Sequence, residues 1–171
     1  LHDEDFLTPL WTEDRPPVPA TPAWMLTKDQ AGLSVREKLA VVREKLAAQK
    51  AGAMLVTRLD SVAWLLNLRA SDIAYNPFAL AYCLVEENTA RLFINAARVP
   101  EDVQAALKAQ GVELCGYEQA RSALAAMEGP VTVLYEPAGT SWAMLRALEE
   151  NPAVTLQEGE EPVQALKGVK N

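Results

Sequence analysis

The run Arg69-Ala70-Ser71-Asp72-Ile73-Ala74-Tyr75-Asn76-Pro77 is the one place in the chain where a guanidinium, a hydroxyl, a carboxylate, a phenol and an amide cluster between two apolar elements. Loops of this kind carry function disproportionately, because a rigid scaffold presents them at the surface. Arg69 can clamp a carboxylate through paired N–H donors, Asp72 can receive an amine, and Tyr75 can wall a pocket. The same residues also have purely structural uses. Arg69 can pair with Asp72, Ser71 and Asp72 can cap backbone amides, and Asn76 before Pro77 can close a turn. Residue chemistry alone leaves both readings open for Arg69, Ser71, Asp72, Tyr75, Asn76 and Pro77.

The rest of the chain offers little reactive chemistry. Its one histidine is His2, at a terminus expected to be frayed and solvated, so Ser-His or Cys-His nucleophile pairs and His-based metal sites lack their usual member. Cys83 and Cys115 sit inside apolar runs with no neighbouring His or Lys to lower a thiol pKa. Both are expected as reduced, buried thiols, neither nucleophilic nor joined in a disulfide. The acidic pairs Glu86-Glu87, Glu149-Glu150 and Glu160-Glu161 point adjacent carboxylates apart and read as solvated surface. The 8 glycines are scattered, with no glycine-rich phosphate loop and no serine nucleophile elbow. No catalytic residue and no metal ligand is assigned to this chain.

Composition narrows the partners. Lys and Arg number 16 against 23 Asp and Glu, a net charge of −7, which leaves no basic footprint for a nucleic-acid backbone. No apolar run approaches the ~20 residues that span a bilayer. The acidic start Leu1-His2-Asp3-Glu4-Asp5 is unlike a signal peptide, so no membrane partner and a cytoplasmic location are expected. A leucine at the first position suggests a piece of a longer protein. With 171 residues, 50% of them hydrophobic, the chain can build one domain around its own core.

The elements that must position the loop follow from local patterning. Residues 1–32 are aperiodic and proline-rich, read as an extended strap that Trp11 and Trp24 anchor onto the domain. Ser34 and Glu37 have capping-box spacing, and Val35, Leu39, Val42 and Leu46 recur at helical intervals up to Gly52. A strand over 53–57 precedes a helix with Asp60-Ser61 as its cap. Phe78 to Val85, the turn Glu86-Glu87-Asn88, and Arg91 to Ile94 form a predicted antiparallel hairpin. Pro100-Glu101-Asp102 opens a helix to about Gln110. Strand 112–115, helix 118–127, strand 131–135, helix 141–148 and strand 153–156 continue the alternation, with Trp64, Trp142, Met144, Leu145 and Leu148 expected in the core. The tail from Pro162 reads as a short helix or strand. The fold class is α/β, a mixed sheet flanked by helices on both faces.

Between Leu59-Asp60-Ser61-Val62-Ala63-Trp64 and Tyr75-Asn76-Pro77, the chain resembles the middle, creatinase N-terminal-like domain of the long, three-domain aminopeptidase P enzymes, members of the pita-bread metallopeptidase family. The family pattern there is approximately LD-x-x-AWL-x-NLRGSDI-P-YNP. Leu10 to Pro17 resembles the strap leading into that domain, Gly32 to Leu39 its first helix, and Ala165-Leu166-Lys167-Gly168-Val169-Lys170-Asn171 the junction at which the catalytic domain begins. Ala70 stands where the family usually has glycine and Ala74 where it often has proline.

The resemblance implies an Xaa-Pro aminopeptidase parent, a hydrolase that frees the N-terminal residue from peptides with proline in second position, using two divalent ions, usually manganese. Its ligands lie in the C-terminal domain, so this chain alone is expected to bind no cofactor and to be inactive. The implied organisation is a strap at 1–32, the α/β domain at 33–160 and a junction at 161–171. The implied partners are the N- and C-terminal domains of the parent, its peptide substrate and a second copy in a homodimer. The implied role of Arg69, Ser71, Asp72, Tyr75, Asn76 and Pro77 is a loop at the substrate access or between domains. The rival reading is an independent binding or scaffold domain of the same fold. Apolar surface around that loop separates the first from the second, which calls for a closed polar surface.

Overall fold

The computed structural model describes residues 5–169; His2 and the Lys170-Asn171 end of the junction motif lie outside the described residues. The chain enters as an exposed strap that gains order at β1 (Trp24–Met25) and a one-turn helix α1 (Lys28–Ala31), whose capping box joins Thr27 and Gln30. The segment read as aperiodic thus carries two short elements. Helix α2 (Val35–Ala48) follows, capped as its sequence predicts: the Glu37 N–H donates to Ser34 Oγ at 3.3 Å and the Ser34 N–H to Glu37 Oε2 at 2.7 Å. Val35, Leu39, Val42 and Leu46 form its buried stripe.

Strand β2 (Ala53–Val56) is buried along its whole length, as a strand covered on both faces must be. Met54 and Val56 face one core cluster, Ala53 and Leu55 the other. Helix α3 (Leu59–Leu65) starts two residues earlier than Asp60-Ser61 capping would place it, with Arg58 at the cap and no side-chain cap bond. Asp60 and Ser61 are engaged elsewhere. β3 (Leu68–Arg69) pairs antiparallel with β1, and the hairpin of β4 (Ala81–Glu86) and β5 (Ala90–Ile94) confirms the predicted pairing. β4 starts later than its apolar run because the Leu80 N–H donates to Asp72 Oδ2 at 2.7 Å, off the ladder. Glu86, read as solvated, takes a two-pronged bond from Arg91, 2.9 Å on each arm.

The remaining elements are α4 (Glu101–Ala109), β6 (Val112–Gly116), α5 (Ala120–Ala125), β7 (Val131–Tyr135), α6 (Trp142–Glu149), β8 (Val154–Glu158) and α7 (Pro162–Lys167). The six-stranded sheet has the order β6-β5-β4-β2-β7-β8; β4 runs antiparallel to β2 and β5, and the other neighbours are parallel. This is the expected mixed sheet flanked by helices. The cluster under α2, α3, α4 and α7 fills one face, and that under α5 and α6 the other. Three aromatic expectations fail. Trp142 is 53% exposed with Arg146 5.9 Å from its ring, and Trp11 and Trp24 are exposed, so backbone and polar bonds anchor the strap instead of indoles.

From β2 the chain turns toward β4, and from β7 toward β8, so their carboxyl ends flank the crevice where open α/β sheets ordinarily take ligands. Here the crevice is closed by its own side chains. Thr57 Oγ1 donates to the Gly139 carbonyl at 2.8 Å, and Arg58 forks onto Glu136. Gly139 fits because a Cβ there would lie 3.2 to 3.3 Å from Thr57, Arg58 and Glu136. α7 lies across α3 through Lys167 to Asp60 and a 2.7 Å bond from Gln164 Nε2 to Ser61 Oγ. Glu161, read as solvated, is 4% exposed, and its Oε1 has no partner.

Burial pushes the Glu161 carboxyl up to about 7, opposed by Ser61 and then raised further by Glu136 and Asp60 against the attraction of Lys167. The folded state therefore holds a proton that the unfolded chain has already lost, and stability falls as pH rises from about 4.5 through about 7. Glu161→Gln is expected to add roughly 1–3 kcal/mol of stability near pH 8 and almost nothing near pH 4. Urea denaturation at the two pH values checks it, and an equal effect at both would refute it.

Candidate functional site

Three segments far apart in sequence converge beneath the loop. Arg98, in the 3₁₀ turn Ala96–Arg98 after β5, forks both terminal nitrogens onto Asp72, with Nη2 2.6 Å from Oδ1. Its Nε donates to the Thr21 carbonyl at 2.9 Å. The side chains of Arg98 and Asp72 are 1% and 0% exposed. Thr21 Oγ1 donates to Asp72 Oδ1 at 3.0 Å and accepts from the Ser71 N–H at 3.0 Å and from Arg98 Nη2 at 3.2 Å. Burial raises the Asp72 carboxyl, but the bonds from Arg98, Leu80 and Thr21 outweigh it and hold the group below its ordinary range. Asp72 is ionised and saturated, with no lone pair left for an incoming amine.

Above this clamp the chain makes a tight turn in which the Asn76 N–H donates to the Ile73 carbonyl at 3.1 Å. Tyr75 occupies its third position with φ 65°, the left-handed conformation that such a turn demands there. Its side chain is fully exposed at 105%. Ala74 sits at the second position, where proline is favoured, and a non-proline residue is compatible with it. Ala70 is buried and is not among the positive-φ residues, so this backbone does not require the family's glycine. Ser71, Asn76 and Pro77 are exposed beside Tyr75; Asn76 Nδ2 also donates to the Ala74 carbonyl at 3.3 Å.

Arg69 does not pair with Asp72. It stands in β3 with Nη1 donating to the carbonyls of Ala63, 2.5 Å, and Leu68, 2.9 Å, at the end of α3. Lys38 of α2 reaches the same end: Nζ donates to the Trp64 carbonyl at 2.9 Å and to Asn67 Oδ1 at 2.6 Å, 4.2 Å from the Trp64 ring centre. Sequence reasoning passed over Lys38 and Arg98. Lys38 had a signal, because it falls three residues after Val35 and four before Val42, on the apolar stripe of α2. Arg98 had none, since its partner lies 26 residues away in sequence.

A cavity of about 490 Å³ opens beside Arg98, walled by Val18 and Pro19 of the strap, Leu80, Asn95 and Tyr117. That is within the ~300–1,000 Å³ of small-molecule sites. Tyr117 stacks on Tyr82 at 5.1 Å and donates to its hydroxyl at 3.2 Å; burial, then Tyr82, push its phenol up, which makes it a wall and not a base. Cys83, which the sequence suggested was buried, has a thiol driven up to about 12 mainly by burial, so it supplies no thiolate near neutral pH. Among the described residues no group of three or more His, Cys, Asp or Glu could hold a metal, so the side chains here do not fit a dinuclear centre. The arrangement can orient and contact, and no activated nucleophile or base belongs to it.

Asp72→Ala strands Arg98 as a buried, unpaired cation and should cost ~3–5 kcal/mol. Tyr75→Ala removes an exposed tip and should change stability by less than about 0.5 kcal/mol. Thermal melts of the two variants beside the parent chain test the clamp, and comparable losses for both would contradict it.

Residues 14–171 match the Creatinase/Prolidase N-terminal domain family. A Sordaria macrospora protein named as a probable Xaa-Pro aminopeptidase P is 32% identical over 98% of this chain and 28% of its own length. The solved X-prolyl aminopeptidase from Caenorhabditis elegans, described as a cytosolic enzyme with a di-nuclear active site, is 31% identical with a TM-score of 0.85, covering 96% of this chain and 28% of that one. The N-terminal domain of a cytoplasmic peptidase from Mycobacterium tuberculosis shares the fold at 21% identity and a TM-score of 0.50, over 77% of this chain and 97% of that domain. The chain therefore spans little more than a quarter of the first two relatives. The mixed sheet and these matches agree with the resemblance read from residues 59–77, and the chain belongs to the Creatinase/Prolidase N-terminal domain family.

Proposed function

We propose that this chain is a non-catalytic domain of a longer Xaa-Pro aminopeptidase, and that it shapes substrate access and the contacts between domains or subunits. The observation that carries the reading is the likeness at 31% identity and TM-score 0.85 to a dinuclear X-prolyl aminopeptidase, of which this chain matches 28%. The parent releases the N-terminal residue from peptides with proline in second position. It holds two divalent ions, manganese in this reading, in a catalytic domain that this chain does not supply, and it works in the cytoplasm. Among the described residues no helix is long and apolar enough to cross a membrane.

Residues 1–32 serve as the strap, 33–160 as the domain proper, and 161–171 as the junction to the catalytic domain. The loop carrying Arg69, Ser71, Asp72, Tyr75, Asn76 and Pro77 faces either substrate or a neighbouring domain, while a second copy completes a homodimer. Support for that face is its exposed apolar surface: Tyr75 at the turn tip, with Trp24 on the strand paired to β3. One observation suits the rival reading of an independent scaffold domain, namely that α7 folds back onto α3 instead of leaving the sheet.

Hydrolysis of a fluorogenic Xaa-Pro peptide with manganese decides between them. Activity is expected in a parent extended past Asn171 and not in this chain alone; activity in neither supports the scaffold reading, and activity in this chain overturns both. Tyr75→Ser in the parent is expected to lower kcat/KM or weaken association of the domains while the melting temperature of the isolated chain stays put. Unchanged values in the parent would remove the loop from the functional surface.

A further inference from the structure

Two cations meet at the end of α3, and among the described residues no carboxylate pairs with either. Lys38 is 2% exposed and Arg69 half-buried, and neither makes an ion pair among the described residues. Burial, and after it the repulsion of Arg69, holds the Lys38 amine down at about 8 from its usual 10.5. The carbonyls of Ala63 and Trp64 meet the two charges, but a helix end carries only about half a negative charge. The pocket is left with net positive charge in a poorly solvated place.

Arg69 spends one of its three nitrogens there. Nη1 serves the Ala63 and Leu68 carbonyls, while Nε and Nη2 make no hydrogen bond among the described residues and are not among the completely enclosed polar atoms. Those two nitrogens form the edge of the guanidinium that presents parallel N–H groups. Trp24 is the direct cross-strand neighbour of Arg69, so both side chains share the outward face of the strand pair, and the indole is exposed. Lys38 has its donors occupied by Trp64, Asn67 and the Trp64 ring, and it contributes charge without a further hydrogen bond.

The geometry points to a carboxylate-binding site in which an acidic group enters beside Trp24 and takes paired hydrogen bonds from Nε and Nη2 of Arg69, with Lys38 supplying the second positive charge. A planar two-oxygen group suits the open edge; a phosphate would bring a third oxygen for which no donor remains. The carboxylate can arrive as a small free acid or on an acidic side chain of a neighbouring protein segment. The inference stands apart from the aminopeptidase reading, because its first test uses this chain alone.

Side-chain nitrogen NMR of the 171-residue chain, titrated with sodium acetate against sodium chloride at equal ionic strength, reads the site directly. For a small acid, the Arg69 Nε–H signal shifts saturably and the Lys38 midpoint climbs by about one unit. Both responses vanish in Arg69→Gln, and Arg69→Lys, which keeps the charge and lacks the fork, loses the saturable part. For a protein-borne acid, acetate leaves the chain unmoved, and the Lys38 midpoint in the longer parent lies about one unit above that in the chain. No shift in either preparation, or an acetate response that survives Arg69→Gln, overturns the site. Should Arg69→Gln fail to fold, the unmutated chain and parent decide alone.

Discussion

The buried pair of Arg98 and Asp72 is the constraint on which the loop depends. Two charges taken out of water are tolerated when their donors and acceptors are answered, and here all three Arg98 nitrogens and both Asp72 oxygens find partners, from three stretches of chain. Thr21 supplies a hydroxyl and a carbonyl, Leu80 an N–H, and Asp72 all of its acceptor capacity. The strap, the loop and the turn after β5 are thereby fixed to one another by geometry that an apolar contact would not impose. A side chain that sequence chemistry offers as an amine receptor is a fastener. Its saturation fixes the base of the turn whose third residue, Tyr75, stands fully in solvent.

The molecule closes one end of its sheet architecture and opens another. At the carboxyl ends of β2 and β7, where ligands usually enter such sheets, Arg58, Glu136, Thr57 and α7 fill the crevice. What stays open is the face of β1 and β3, with Trp24, Arg69 and the Tyr75 turn. That division suits a domain whose work is contact rather than chemistry. It also explains why Cys83 and Tyr117 are inert: both are placed for packing, and burial drives each toward its neutral form.

Much of the scaffold was legible because its determinants are local. The capping box of Ser34 and Glu37, the stripe from Val35 to Leu46 and the turn between β4 and β5 each lie within a few residues. The family signature from Leu59 to Pro77 was legible for the same reason. The failures are nonlocal or depend on which face an element turns outward. Glu161 looked like half of a solvated acidic pair, and only the docking of α7 buries it. Met144 and Leu148 are four residues apart and share the buried face of α6, whereas Trp142, two residues before Met144, falls on the outer face. Arg98 shows nothing in its neighbourhood, since its charge is answered by residues 26 and 77 positions away.

The closure of the crevice by α7 has a consequence for the order in which the chain can mature. Val163 is completely buried against the face made by α2, α3 and the central strands, yet it follows every strand of the sheet in chain order. A chain emerging from the ribosome can pair β2, β4, β5 and β7 while that face still lacks its final cover. For that interval, at synthesis rates of about 5–20 residues per second, apolar side chains of the central sheet are open to solvent and to neighbours. The polar bonds from Gln164 and Lys167 then act as a late fastening, and the vulnerable moment of this fold falls at its end.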